Sequence, residues 1–182
     1  MLIIKLFLYI LTLLTPLPKT ITIVQFKGVS DSVVCAVIKE EKLIYGFNVH
    51  VISNVKIPDS IYFPYYSAYT GDKMLSYLKH YAGYRVLGIC SEEIINIECG
   101  HTIDLYGYGF LPPYKACVVS TYMLTKNIGK EAAINSIHEL GHTFGLKHCW
   151  NTRCYMNEGD GTEDGMNLPF ILCDSCRKNL KF

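Results

Sequence analysis

Three histidines and a glutamate fall within one short segment near the end of the chain, HELGHTFGLKH at residues 138–148. An apolar run, AAINSI, precedes them, which predicts a helix over about residues 130–143. His138 and His142 are four residues apart, so on that helix they lie one above the other on one face. Glu139 is rotated off that line, which places it beside the point where two imidazoles would meet.

Gly145 determines where the third histidine goes. A continuing helix would carry His148 away from the other imidazoles, whereas glycine at a helix end readily takes the left-handed conformation and turns the chain. His148 can then return as a third ligand. Three imidazoles leave one position of a tetrahedral zinc open, as in catalytic sites, and the glutamate of an H-E-x-x-H helix is placed to act as a base on a zinc-activated water. The spacing therefore predicts a catalytic zinc with Glu139 as the general base.

Eight cysteines divide into two groups. Four are scattered through apolar stretches and are interpreted as small buried hydrophobes; these are Cys35, Cys90, Cys99 and Cys117. The other four follow the third histidine in two close pairs, which suits a closed structural zinc site; these are Cys149, Cys154, Cys173 and Cys176. Two disulfides are the alternative if the chain is exported. Either arrangement would clamp the chain just beyond the third histidine.

The histidine segment with its following cysteines, HELGHTFGLKHC, then CYM at 154–156 and CDSC at 173–176, resembles the archaemetzincin branch of the metzincin zinc peptidases. The resemblance is specific over residues 138–176, although the loop after Met156 is one residue shorter than the family pattern usually has. It implies two zinc ions and one Met-turn. The implied residues are His138, His142 and His148 for the catalytic zinc, Glu139 as base, Met156 in the Met-turn, and Cys149, Cys154, Cys173 and Cys176 for the structural zinc.

Strands alternate with helices upstream of this segment, which predicts an α/β fold. With the resemblance, we expect a metzincin-like twisted mixed sheet, mostly parallel with one antiparallel edge strand. Backing and active-site helices would pack on it, beside a small zinc-clamped C-terminal part. The predicted strands lie at 21–26, 48–52, 86–90 and 117–121, and the predicted helices at 31–44, capped by Asp31, at 72–81, at 130–143 and after Cys173, with 56–70 as a loop.

We divide the chain into an N-terminal extension, residues 1–19, and a peptidase domain, residues 20–182. The domain comprises an α/β part, 20–145, and a C-terminal part, 146–182. The extension is apolar and long enough for the core of a signal segment, but it offers no small-residue cleavage site. Thiolates on zinc would favour a reducing compartment such as the cytoplasm; export, or a membrane anchor through residues 1–18, is the alternative.

The resemblance also places a substrate-binding edge strand within His101–Phe110, a stretch that Gly107 and Gly109 weaken as a strand. Backbone pairing with an extended peptide gives affinity with little sequence choice. Three aromatic residues alternate there and either line subsites or pack in the core; they are Tyr106, Tyr108 and Phe110. Tyr155 is considered for contact with the oxyanion, and no substrate-binding residue is assigned.

Composition narrows the remaining functions. Half of the residues are hydrophobic, which excludes wholesale disorder. A formal charge of +1, from 17 basic and 16 acidic residues, argues against a protein built for nucleic acid. We therefore expect a metalloprotease acting on peptide or protein substrates, as an endopeptidase or an aminopeptidase. The alternative is a catalytically silent, zinc-stabilised peptide- or protein-binding module.

Overall fold

The computed structural model describes residues 19–99, 101–158 and 170–180. The predicted N-terminal extension and most of the acidic, glycine-rich loop after Glu158 lie outside the described residues. Among the helices of the described residues, none is both long enough and apolar enough to cross a bilayer.

A five-stranded sheet forms the centre of the fold, in the order β2-β1-β5-β9-β8. The first four strands run parallel, and β8 pairs antiparallel with β9 at one edge. The bounds are β1 Thr20–Phe26, β2 Asn48–Val55, β5 Arg85–Cys90, β8 Gly107–Gly109 and β9 Ala116–Ser120. The predicted mostly parallel sheet with one antiparallel edge strand is confirmed.

Helices cover both faces of this sheet. On one face lie α1 (Asp31–Tyr45) and α3 (Ile128–Thr143), and on the other lies α2 (Gly71–Leu78). Successive residues of β1 serve the two layers, as strand geometry requires. Ile23 packs with the cluster that contains α1 and α3, and Val24 packs with the cluster that contains α2. A short helix, α4, follows Cys173 as predicted.

A second, four-stranded sheet was not predicted from the sequence. Its order is β3-β4-β6-β7, with bounds β3 Tyr62–Phe63, β4 Ala68–Thr70, β6 Ile94–Glu98 and β7 His101–Asp104. The segment 56–70, predicted as a loop, therefore contains two short strands. The predicted single strand over His101–Phe110 is divided, because β7 pairs with β6 in this sheet and β8 pairs with β9 in the first. Strands this short carry too few alternating residues to give a sequence signal.

Several local expectations are corrected. The residue at the N-cap of α1 is Ser30, and Asp31 is the first helical residue. The predicted helix from Asp72 to Tyr81 is shorter, ending at Leu78. Cys90 and Cys117 are buried as expected, but two other cysteines are exposed. Cys35 lies on α1 between buried positions, and Cys99 follows the end of β6 with φ 51°.

Glu41 is a buried carboxyl on the stripe of α1 that also carries Val37 and Tyr45. The side chain is 1% exposed, and no described residue gives either oxygen a hydrogen bond. Burial raises the pKa of Glu41 from 4.5 to about 8. The unfolded chain therefore releases this proton at a lower pH than the folded chain, so stability is lost as pH rises through that interval.

We expect Glu41→Gln to flatten the dependence of the free energy of unfolding on pH between pH 5 and 8. Urea denaturation at several pH values measures it. Glu93→Gln, at a partly exposed carboxyl before β6, is the control and should keep the wild-type slope. An unchanged slope in Glu41→Gln would mean that the folded protein does not hold this proton.

Candidate metal centre and active site

Helix α3, which carries His138 and His142, has defined ends, and these place the histidines. At its start Asn127 accepts a hydrogen bond from the Lys130 backbone N–H at 3.2 Å, which satisfies one of the free donors of a helix N-terminus. At its end the Leu146 N–H donates to the Gly141 carbonyl at 2.9 Å, and Gly145 has φ 92°. This is the predicted left-handed glycine turn. It returns the chain toward α3 at His148.

The three histidines meet beyond this turn. Their ring centroids lie 4.7 Å (His138–His142), 4.9 Å (His142–His148) and 5.3 Å (His138–His148) apart. One potential ligand atom from each ring lies within 4.8 Å of the other two. The Nε2 atoms of His138 and His142 are 3.0 Å apart. Two nitrogens on one tetrahedral zinc are roughly 3.3 Å apart, so the arrangement fits a single metal ion.

Backbone carbonyls orient two of the rings. His138 Nδ1 is 2.8 Å from the Tyr155 carbonyl oxygen, and His142 Nδ1 is 2.9 Å from the Leu146 carbonyl oxygen. A carbonyl can only accept, so each Nδ1 carries the hydrogen and donates it. Each Nε2 then keeps a free lone pair for a metal, which is the usual outer contact of a histidine ligand.

Burial also favours the neutral form of these two rings. It lowers the pKa of His138 to about 4, helped by the neighbouring His142, and it lowers the pKa of His142. Neutral imidazole is the form that binds metal. His148 is more exposed, and its Nδ1 lies 3.4 Å from the Glu158 carboxylate.

Glu139 lies between α3 and the edge strand β8. It is 9% exposed, and burial raises its pKa to about 8. A zinc ion at the histidines would oppose that shift, because a nearby positive charge favours the carboxylate. The Glu139 side chain packs against Gly107 and Gly109 of β8. The carboxyl is thus held against the edge strand, where Gly109 also lines the pocket beside His142 and His148.

Met156 packs directly against α3. It is fully buried, and its sulfur faces Gly141 so closely that a Cβ at that position would clash with it. Gly141 immediately precedes His142 on α3, so Met156 supports the helix between its two histidines. The role of Met156 in a Met-turn stays a prediction.

The Tyr155 side chain does not lie where the oxyanion hypothesis needs it. Its hydroxyl donates a short hydrogen bond to the Glu40 carboxylate on α1, and the ring is 4% exposed. The side chain therefore joins the segment before Met156 to α1. Its contribution to the site is the backbone carbonyl that orients His138.

The four C-terminal cysteines form a second cluster. Their sulfurs all lie within 4.8 Å of one another, and the Cys149–Cys173 and Cys154–Cys176 separations are both 3.7 Å. Sulfurs on one tetrahedral zinc lie roughly 3.8 Å apart, whereas a disulfide needs about 2.05 Å. The Cys176 backbone N–H lowers the pKa of Cys173 to about 7, which favours the thiolate that a metal binds. The donor set fits zinc.

The two clusters are linked through the backbone. Cys149 follows His148 directly, and its N–H donates to the Met156 carbonyl at 2.7 Å. The chain thus passes from the third histidine to the cysteine cluster and Met156 without an intervening helix or strand. The remaining histidines, His50, His80 and His101, belong to neither cluster within the described residues.

A pocket of about 430 Å³ opens beside the histidines. One wall comes from the chain that leaves β8 and the other from the end of α3 and its turn. The lining residues are Gly109, Phe110, Leu111, His142, Lys147 and His148. Sequence reasoning missed Leu111 and Lys147, because nothing in their local pattern shows that these segments meet. Tyr108 packs against the α2-side core, Tyr106 is exposed, and Phe110 lines the pocket.

Comparison with known proteins agrees with this geometry. Residues 117–182, which include most of β9, all of α3 and both clusters, match the model of Peptidase family M54. An archaemetzincin of Sulfolobus acidocaldarius is 32% identical over 124 residues, which cover 62% of this chain and 68% of that protein. The chain belongs to the archaemetzincin family. This is a family of zinc metallopeptidases, so its substrates are peptides or proteins.

Two further archaemetzincins extend the likeness to most of the chain. That of Nanoarchaeum equitans is 26% identical over 161 residues, covering 87% of this chain and 86% of its own. The crystal structure of the Methanopyrus kandleri archaemetzincin superposes with a TM-score of 0.73 at 25% identity, covering 91% of this chain and 98% of that one. The archaemetzincin fold therefore includes the upstream α/β part, where the sequence motifs are weak.

Proposed function

We propose that this archaemetzincin hydrolyses peptide bonds at a zinc ion held by His138, His142 and His148, with Glu139 as general base. The observation that carries the proposal is the convergence of three histidines, two of them anchored by backbone carbonyls, at the end of the helix that also carries the buried Glu139 carboxyl. Because that carboxyl borders the open edge of a sheet, a peptide laid along the edge would reach it. A binding module would have no use for a carboxyl there.

A zinc ion bound there would lower the pKa of a coordinated water from about 15.7 toward 7 and polarise the scissile carbonyl. The Glu139 carboxylate accepts the proton of the attacking water and delivers it to the leaving amine. Its burial and its contacts with β8 restrict the positions that the carboxylate can take.

The edge strand β8 provides the binding surface for the substrate backbone. The Ser120 N–H donates to the Tyr106 carbonyl at 2.9 Å, which makes the Tyr106–Ser120 and Tyr108–Val118 pairs the hydrogen-bonded ones of this ladder. The N–H and C=O groups of Gly107 and Gly109 therefore point to the open side. An extended peptide adds to such an edge as a further strand.

The cysteine cluster is proposed to hold a second, structural zinc ion through Cys149, Cys154, Cys173 and Cys176. The 3.7 Å sulfur separations support this assignment over two disulfides. Residues 20–182 would then form one peptidase domain, in which the metal in the 146–182 part keeps His148 and Met156 in place.

Cleavage of a peptide mixture tests the proposal. Zinc-loaded protein is incubated with diverse peptides, half of them N-acetylated, and the products are mapped by mass spectrometry. We expect cuts that stop when a chelator removes the metal and return when zinc is restored. Internal cuts in acetylated peptides identify an endopeptidase, and loss of single residues from free N-termini alone identifies an aminopeptidase. No cuts with zinc bound would favour the binding module.

A further inference from the structure

The edge strand β8 crosses the proposed catalytic carboxyl with no side chain between them. A Cβ built on Gly107 would lie 2.6 Å from both Cγ and Oε1 of Glu139. A Cβ built on Gly109 would lie 3.0 Å from Oε2 of the same carboxyl. Gly107 and Gly109 point to the same face of the strand, so the carboxyl is in contact with backbone at two successive inward positions.

The backbone conformation does not explain these glycines. The described glycines with positive φ are Gly28, Gly46, Gly83 and Gly145, so Gly107 and Gly109 adopt conformations open to any residue. Glycine inside a strand weakens it, and often marks a place where something approaches the backbone closely. What approaches here is the Glu139 side chain.

The opposite face prevents β8 from moving away. Tyr108 points to that face, and its ring contacts Gly71 so closely that a Cβ there would clash with it. The Tyr108 hydroxyl lies 3.3 Å from an Asp72 carboxylate oxygen. The strand is therefore held between the start of α2 and the carboxyl on α3.

We propose that Gly107 and Gly109 are positioning residues that set the location of the Glu139 carboxylate against the substrate-binding edge. This inference rests on the proposed function. The two glycines pack on the carboxylate and also direct their free N–H and C=O groups to the open edge. A peptide paired there, about 4.8 Å from β8, would lie beside the carboxylate. A side chain at position 107 would force the carboxylate and the strand apart.

A double-mutant cycle between Gly107→Ala and Glu139→Ala tests the contact without using activity. In the wild-type background we expect Gly107→Ala to lower the urea midpoint of the zinc-loaded protein. In the Glu139→Ala background the clashing atoms are gone, so the same change should cost much less. Equal losses in both backgrounds would overturn the proposal.

Gly109→Ala provides an internal comparison. Its Cβ would also meet the Glu139 backbone oxygen at 3.0 Å and the Cys117 Cβ at 3.1 Å. Truncating Glu139 removes neither atom, so Gly109→Ala should lower the midpoint in both backgrounds. If Glu139→Ala restored the urea midpoint of Gly109→Ala as fully as it restores that of Gly107→Ala, this geometry would be contradicted.

The kinetic readout separates positioning from a structural role. We expect Gly107→Ala to reduce kcat roughly 100-fold, the cost of a misplacement of about 1 Å, while KM and zinc content change little. Gly129→Ala, in the first turn of the helix that carries Glu139, is the control and should keep wild-type kcat. Unchanged kcat in Gly107→Ala would overturn the positioning role. If the two substitutions are coupled in stability but the wild-type protein cleaves no peptide, the contact between Gly107 and Glu139 exists and the proposed function is wrong.

Discussion

Glu139→Gln is expected to reduce kcat/KM for a cleaved peptide by a factor of about 10²–10⁴, the usual contribution of a general base. Glutamine fills the same space between α3 and β8, so the packing against Gly107 remains. It cannot accept the proton. Zinc content should stay at the wild-type level, because Glu139 is rotated off the line of the two helix histidines and is not a ligand.

Steady-state kinetics on one peptide gives kcat/KM. Mass spectrometry on the same samples gives the zinc content. Glu131→Gln is the matched control, since Glu131 is a buried glutamate on the same helix. It accepts from the Asn127 N–H at 3.4 Å in the first turn of α3, and glutamine can serve there equally. Turnover within a few-fold of wild type in Glu139→Gln would remove Glu139 as the base.

Cys173→Ser is expected to lower the free energy of unfolding by more than about 4 kcal/mol, a loss typical of removing a structural metal. It should also lower the bound zinc by one equivalent or more. The effect should extend to the histidines, because the cluster begins at Cys149, directly after His148, and is joined to Met156 through the backbone. Chemical denaturation and zinc stoichiometry measure the two losses.

Cys35→Ser is the control, since Cys35 is exposed on α1 and belongs to neither cluster. Treatment with a chelator or with a reductant distinguishes a zinc site from two disulfides at the four cysteines. A zinc site loses stability with a chelator and not with a reductant, and two disulfides would show the reverse. A Cys173→Ser protein with two bound zinc ions and wild-type stability would exclude the second metal site.

Some of the site was predictable because its parts are close in sequence. His138 and His142 share a helix face by spacing alone, and Gly145 is the residue type that a left-handed helix end needs. The turn that returns His148 therefore follows from local rules, as does the short segment from His148 to Cys149. In each of these cases the residues involved are only a few positions apart in the sequence, so local backbone geometry determines their arrangement.

Other parts depend on contacts between distant segments. The small sheet containing β6 and β7 was missed, because two- to five-residue strands are stabilised by their pairing and not by their own pattern. Tyr155 was considered for the oxyanion, yet its hydroxyl bonds to Glu40, 115 positions away in the chain. The partner of a buried hydroxyl is decided by which elements pack together.

Gly107 and Gly109 show most clearly the difference between what local sequence indicates and what contacts between distant segments add. By themselves they indicate a weak strand, since glycine lacks a side chain and has excess conformational freedom. The structure shows a Glu139 side chain in the space that their side chains would fill. The ligand-bearing helix, its glycine end and the cysteine spacing can be read from the sequence, because each is a property of neighbouring residues. The crossing of the edge strand over the carboxyl cannot be read in this way, because that contact exists only once β8 has paired with β9 and α3 has packed beneath them.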